Sequence, residues 1–353
     1  MGAGIYWRHS GDESVKGVVF LTDPRELPIN PPLEEVLRAA SFLEGKIRRT
    51  PAEFSPCLSE STGSPIFVKW ECLQRCGAFK IRGAFWKMHC LTEEQRAKGV
   101  VTCSSGNHGQ GIALAAMEMG IRAVIFVPEA CPETKRAAIR RLGGDRVELK
   151  VSGRLYDDAE AAAHRYAEAA GATYVSSFED SHVVAGAGTL GFEFLSQCPD
   201  LDLLIVPAGG GGLINGVALA AKALRPSIEI WGVQSEASNP YVVSWGDGIV
   251  REVEYGDSLA DGLTGWIPQS LLSLAKTRVT GMVQVTEEAV GRAMAYACTK
   301  CRVVVEGAGA VGLAALLSGV IRPEGRRTGV VISGGNLDSG ILTDLIRRYG
   351  TGY

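Results

Sequence analysis

The sequence predicts an α/β fold built on open, mostly parallel, twisted sheets with flanking helices. Three observations carry that expectation. Short β-branched runs alternate with Ala-rich helical segments along most of the chain, the alternation that gives parallel sheets. Three polar or Gly-rich clusters sit just after strand-like runs, at 104–110, 207–212 and 333–338. Sheets of this kind bind ligands at strand ends. Apolar residues make up 46% of the 353, enough for a sizeable core.

Residues 1–30 are polar and punctuated by Gly and Pro, and are expected to form a loosely held arm. Helical periodicity then runs from Leu33 to Ile47. Short runs rich in Val, Ile and Phe predict strands at 66–70, 100–103, 123–127, 146–150, 173–175, 203–206, 229–233 and 329–332. The Ala- and Leu-rich stretches between them predict helices at 85–90, 109–119, 133–142, 159–170, 186–197, 214–223, 287–300 and 310–318. No repeat, low-complexity tract or linker separates independent domains.

The net charge is −3 and no Lys/Arg block stands out, which argues against nucleic acid as a partner. No stretch of about 18 apolar residues marks a membrane span. The N-terminus lacks a signal-peptide pattern, and Tyr6 stands where myristoylation needs Ser or Thr. Nine cysteines, odd in number and irregularly spaced, fit a reducing compartment, and the cytoplasm is the expected location. Cys298-Thr-Lys-Cys301 matches C-x-x-C, but it lies in a helix-like stretch with no second pair, which argues against a metal or redox centre.

Lys80 is the most informative residue. It sits in Cys76-Gly77-Ala78-Phe79-Lys80-Ile81-Arg82-Gly83-Ala84, after the run 66–70. A lysine between Phe and Ile is poorly placed for a solvated role. Such a site lowers an amine's pKa, and a neutral amine forms Schiff bases. The alternative is a strand-to-helix turn whose lysine snorkels to water. Gly209-Gly210-Gly211-Gly212-Leu213 follows a strand and opens a helix, so its unshielded N–H groups make a phosphate cradle. It lacks the G-K-[ST] ending of a nucleotide P-loop. Ser104-Ser105-Gly106-Asn107-His108-Gly109-Gln110 also precedes a helix and suits a carboxylate, with Asn107 able to bond a phenolic oxygen. Simple N-capping needs one polar residue, and five appear here. His108 reads equally as a buried structural histidine. Ser333 ends a strand and suits a heterocycle's ring nitrogen, with a plain Asx turn as the alternative. Together these clusters suggest a lysine that holds pyridoxal 5′-phosphate (PLP). Gly307–Gly312 is a literal G-x-G-x-x-G after 303–305, the best hook for a nicotinamide oxidoreductase, but no convincing acidic residue follows about 20 positions later.

The segment from Lys69 through Glu71, Gln74, Gly77, Phe79, Lys80 and Arg82 to Ala84 resembles the Schiff-base motif of fold-type II PLP enzymes, in the branch of threonine/serine dehydratases and serine racemase. Ser104–Gln110, Gly209–Gly212, Leu259–Gly262, Glu306–Ala310 and Ser333–Asp338 follow in that family's order. The resemblance runs from about Leu33 to Arg347. It implies the tryptophan synthase β-like fold, with a large PLP-binding domain at 1–98 and 179–353 and a small domain at 99–178 inserted in it. It implies that Lys80 holds the cofactor and moves the Cα proton, with Phe79 against the ring and Asn107 on the 3′-oxygen. Gly209, Gly210, Gly211, Gly212 and Leu213 take the phosphate, Ser333 the pyridine nitrogen, and Glu306 and Gly334 line the cofactor. Ser104, Ser105, Gly106 and His108 hold the substrate carboxylate, and Tyr156 faces the substrate.

The resemblance implies β-elimination from a 3-hydroxy amino acid by a homodimer or tetramer, giving a 2-keto acid and ammonia. Threonine and serine are the default substrates. The departures Ala78, Ala187 and Tyr156 leave bulkier ones such as phenylserine or 3-hydroxyaspartate open. Ser105 stands where racemase-like members have their second acid/base, so racemisation is the alternative. Gln234 and Pro240 replace acidic cation ligands of the racemases, and no metal is expected. No C-terminal amino-acid-sensing domain is expected either.

Overall fold

The structure is a computed structural model that describes residues 29–350. All but the last two residues of the expected arm at 1–30 lie outside the described residues. Ten strands form two sheets. In chain order they are β1 (Ala52–Phe54), β2 (Ile66–Trp70), β3 (Val100–Cys103), β4 (Ala123–Val127), β5 (Val147–Val151), β6 (Thr173–Tyr174), β7 (Leu203–Pro207), β8 (Glu229–Ser235), β9 (Gly281–Val285) and β10 (Thr328–Ile332). The larger sheet has the order β1-β2-β10-β7-β8-β9 and the smaller β5-β4-β3-β6. Every pairing is parallel except the antiparallel edge pair β1–β2. Strands β7 and β10 are buried along their whole length, which is why they read as continuous apolar runs rather than alternating ones.

Fourteen helices among the described residues cover the sheets. The first seven are α1 (Leu33–Leu43), α2 (Pro56–Thr62), α3 (Lys80–His89), α4 (Glu93–Lys98), α5 (Asn107–Met119), α6 (Glu133–Gly143) and α7 (Tyr156–Ala170). The rest are α8 (Ser181–Gln197), α9 (Gly212–Leu224), α10 (Pro240–Ser244), α11 (Gln269–Lys276), α12 (Glu287–Tyr296), α13 (Gly307–Leu317) and α14 (Ser339–Tyr349). Ile81, Ala84, Phe85 and Met88 of α3 share one apolar core with Ile112, Ala113 and Ala116 of α5 and with Ile125 and Val127 of β4. Helices α8 and α9 approach closely because Gly216 has no Cβ to strike the Val184 carbonyl.

The expected helix at 85–90 instead begins at Lys80, so the key lysine opens α3. The helix expected at 287–300 ends at Tyr296 and continues as a π-type turn at 297–301, closed by Arg302 in the left-handed region (φ 62°). Residues 303–305 belong to no sheet, and Gly307–Gly312 lie inside the buried helix α13. The dinucleotide reading therefore lacks both its strand and its turn. Gly309 is small because the Gly334 backbone packs against it.

A buried ionic network anchors α3. Arg82 donates to Glu71 at 2.7 and 2.8 Å and to Glu193 of α8 at 3.1 Å. Lys69 of β2 donates to Glu193 at 2.5 Å, to Gln197 at 2.7 Å and to the Thr50 carbonyl at 2.7 Å. Burial opposes ionisation of Glu71, but Arg82 outweighs it and holds the carboxyl below its ordinary pKa. The first turn of α3 is thereby fixed to the strand before it and the helix beside it.

Candidate active site

Four strand exits converge. Phe79 N–H donates to the Ser333 carbonyl at 3.0 Å, and Gly335 N–H donates to the Gly77 carbonyl at 2.9 Å. The Lys80 segment is thus laced to the exit of β10. Lys80 Nζ donates to the Ser177 carbonyl at 2.7 Å. Burial pushes the Lys80 pKa down to about 8, against the upward pull of the Glu306 carboxyl. About a tenth of the amine is then neutral at pH 7, far more than for an ordinary lysine, as a nucleophilic lysine requires.

Asn107, the first residue of α5, joins the exits of β3 and β10. Its Nδ2 donates to Glu306 Oε1 at 2.7 Å, and its Oδ1 accepts from Asn336 Nδ2 at 2.8 Å. Burial pushes the Glu306 carboxyl up to about 8, so it is mostly protonated at neutral pH. A Cβ on Gly334 would collide with this carboxyl. Ser333 is buried, and its hydroxyl makes a long 3.4 Å contact with the Ala308 carbonyl.

The glycine loop joins through Phe178. Gly211 takes a left-handed conformation (φ 104°) and caps α9. A Cβ on Gly210 would strike the Phe178 ring, one residue from the carbonyl that holds Lys80. Leu213 follows in the first turn of α9 and is buried. The expected phosphate cradle and the expected cofactor lysine therefore meet across residues 177–178.

Ser104, Ser105 and Gly106 are half-buried at the start of α5, which has no side-chain cap, so its first N–H groups remain available to an anion. His108 is placed differently from an anion-binding imidazole. Burial, with Lys80 nearby, drops its pKa to about 3. Its Nε2 faces the Val175 carbonyl at 3.2 Å and so carries the proton. What it can offer an anion is its backbone N–H. Tyr156 opens α7, and its hydroxyl donates to the Cys103 carbonyl at 3.2 Å, the residue before Ser104.

The sequence reading did not single out Ser177, Phe178 or Asn336, nor the roles of Arg82, Glu71 and Glu193. Asn336 lay inside a cluster that was already visible. Ser177 acts through its carbonyl, which any residue offers.

A family model described as "Pyridoxal-phosphate dependent enzyme" matches residues 43–334. The chain belongs to this family. It is 41% identical over 317 residues to an L-threonine ammonia-lyase of Thermotoga maritima, covering 90% of this chain and 78% of that one. It is 37% identical to the catabolic L-threonine dehydratase TdcB of Escherichia coli K12, covering 89% of this chain and 94% of that one. Among solved structures it is similar to maize serine racemase, with a TM-score of 0.85, 34% identity and coverage of 90% and 97%. For a pyridoxal-phosphate dependent enzyme the donor set fits. The site offers a depressed-pKa amine for an aldehyde and a side-chain-free glycine loop for a phosphate, with an amide and a buried hydroxyl at the adjoining strand ends.

Proposed function

We propose that this protein is a PLP-dependent ammonia-lyase that converts a small 3-hydroxy amino acid into a 2-keto acid and ammonia. Threonine and serine are the default substrates, with phenylserine and 3-hydroxyaspartate as bulkier candidates. The observation that carries the reading is the Lys80 amine, drawn down to about pH 8 between the start of α5 and the glycine loop. The relatives named threonine ammonia-lyase and threonine dehydratase support the same reaction.

Bound PLP supplies an electron sink that acidifies the Cα hydrogen of an amino acid. Lys80 would hold the cofactor and would take the Cα proton at its Nζ. Phe79 would flank the ring, Asn107 would bond its phenolic oxygen, and Gly209 to Gly212 with Leu213 would receive the phosphate. Ser333 would meet the ring nitrogen. A neutral hydroxyl there would not enforce a protonated ring, so the bound cofactor would supply an electron sink suited to loss of a β-leaving group. Glu306, protonated below about pH 8, adds little charge to the cleft. Ser104, Ser105, Gly106 and the backbone of His108 hold the substrate carboxylate, and Tyr156 borders the side-chain pocket.

Racemisation is a second reading. Ser105, half-buried at the start of α5, would offer a hydroxyl to the opposite face of Cα, and similarity to maize serine racemase supports this reading. We further assign a large domain to 1–98 and 179–353 and a small domain to 99–178, since the four-stranded sheet draws only on residues 100–174. The protein works in the cytoplasm as a homo-oligomer, dimer or tetramer, which light scattering distinguishes from a monomer. The deciding assay offers serine, threonine, 3-hydroxyaspartate and phenylserine, and measures keto acid, ammonia and the chirality of leftover substrate. Equimolar keto acid and ammonia support the lyase. Inverted substrate without keto acid replaces it with the racemase.

A further inference from the structure

Cys57 and Cys301 are 244 residues apart in the chain, yet their sulfurs lie 3.5 Å apart. Cys57 is the second residue of α2, and Cys301 ends the π-type turn after α12. Both are half-buried free thiols, within reach of small oxidants. Cys301 is the second cysteine of the C-x-x-C run, but the sulfur it meets belongs to a distant element. Ser55 Oγ lies 3.4 Å from Cys57 Sγ, and the Tyr296 hydroxyl, 3.1 Å from Ser61 Oγ, adds a further hydrogen bond to the thiol. Burial opposes ionisation of Cys57, but bonds from Ser55, Cys301 and Tyr296 outweigh it and hold its pKa below that of an ordinary thiol. Burial and the adjacent Cys57 push Cys301 up. One sulfur is therefore the better nucleophile, and the other stays protonated beside it.

We infer that Cys57 and Cys301 form an oxidisable dithiol that closes into an intramolecular disulfide when a peroxide or a small-molecule disulfide is present. With hydrogen peroxide, the Cys57 sulfur attacks the O–O bond, becomes a sulfenic acid and releases one water. The Cys301 sulfur then displaces the sulfenic hydroxyl as a second water, and the S–S bond forms. Two thiols are oxidised by two electrons and one peroxide is reduced. With a small disulfide, two exchange steps release two small thiols instead. A disulfide bond is about 2.0 Å long, so the sulfurs must close by about 1.5 Å. The turn that carries Cys301 leads through Arg302, in its left-handed conformation, and residues 303–305 to Glu306 in the cleft. Closure ties that segment to α2 and reaches the site through Glu306.

The test treats the reduced holoenzyme with hydrogen peroxide or oxidised glutathione, alkylates the remaining thiols and maps unreduced peptides by mass spectrometry. The expected result is a peptide pair linking Cys57 to Cys301, lost on treatment with dithiothreitol. It persists in Cys298→Ser and is absent from Cys57→Ser and Cys301→Ser. Alkylation of both thiols after oxidation, or a Cys298–Cys301 link instead, overturns the inference. The peptide map needs no turnover, so it stands or falls separately from the activity proposed above. Activity should fall on oxidation and return on reduction in the wild type but not respond in Cys57→Ser. A link that leaves activity unchanged overturns the connection to Glu306.

Discussion

Lys80 and Glu306 are drawn toward the same pH from opposite directions. Burial disfavours charge on both, so the amine falls to about 8 and the carboxyl rises to about 8. The cofactor-free protein should therefore take up PLP at a rate that rises with pH through about 8. A stopped-flow pH series reads this directly, and a midpoint near the ordinary lysine value of about 10.4 contradicts the burial argument. Glu306 makes a prediction for stability. Its native pKa lies above the ordinary 4.5, so the folded state keeps a proton that the unfolded chain gives up. Its contribution is fully present below about pH 4.5 and is lost as pH rises toward about 8. Glu306→Gln carries no such proton and should flatten that slope in urea titrations of the cofactor-free protein.

Helix α3 carries the proposed cofactor lysine at its first residue and the Arg82 anchor two residues on. Arg82→Ala leaves Glu71 and Glu193 without their shared cation. Loss of one partner from a buried pair costs about 3–5 kcal/mol, so the urea midpoint should fall steeply. Gly211→Ala places a Cβ on a φ of 104° and against the Tyr241 hydroxyl. Strain of that kind costs about 1–3 kcal/mol, and calorimetry should show weaker PLP binding as the α9 cap distorts. The sequence revealed the buried parallel strands well because they are continuous apolar runs. It did not reveal β1, three residues on an edge, or β9, where Gly281 and the exposed Gln284 dilute the pattern. The site was legible where its residues cluster, at 104–110, 209–212 and 333–336. It was illegible where a carbonyl or a packing ring acts, as at Ser177 and Phe178. His108 reads in the sequence as either a structural or a binding residue, and its type alone does not decide between them: the ring is neutral and its Nε2 faces the Val175 carbonyl.

At the scale of the whole molecule, two mostly parallel sheets bring their strand ends to one site. Hydrogen bonds knit the two sides, with Asn107 from the smaller sheet meeting Glu306 and Asn336 beside the larger. Lys135 of α6 pairs with Asp261 at 2.7 Å between the same two regions. That pair is partly exposed and adds at most about 1 kcal/mol, so the site is held mainly by its half-buried amides and backbone bonds. A site assembled this way places one amine, Lys80, near the start of α5 and joins it to the glycine loop through Ser177 and Phe178. The most direct test is borohydride reduction of the yellow holoenzyme followed by peptide mapping. The expected result is one phosphopyridoxyl group per chain, on Lys80, with loss of colour and of keto-acid production in Lys80→Ala. A label on another lysine, or a protein that PLP neither colours nor labels, contradicts it.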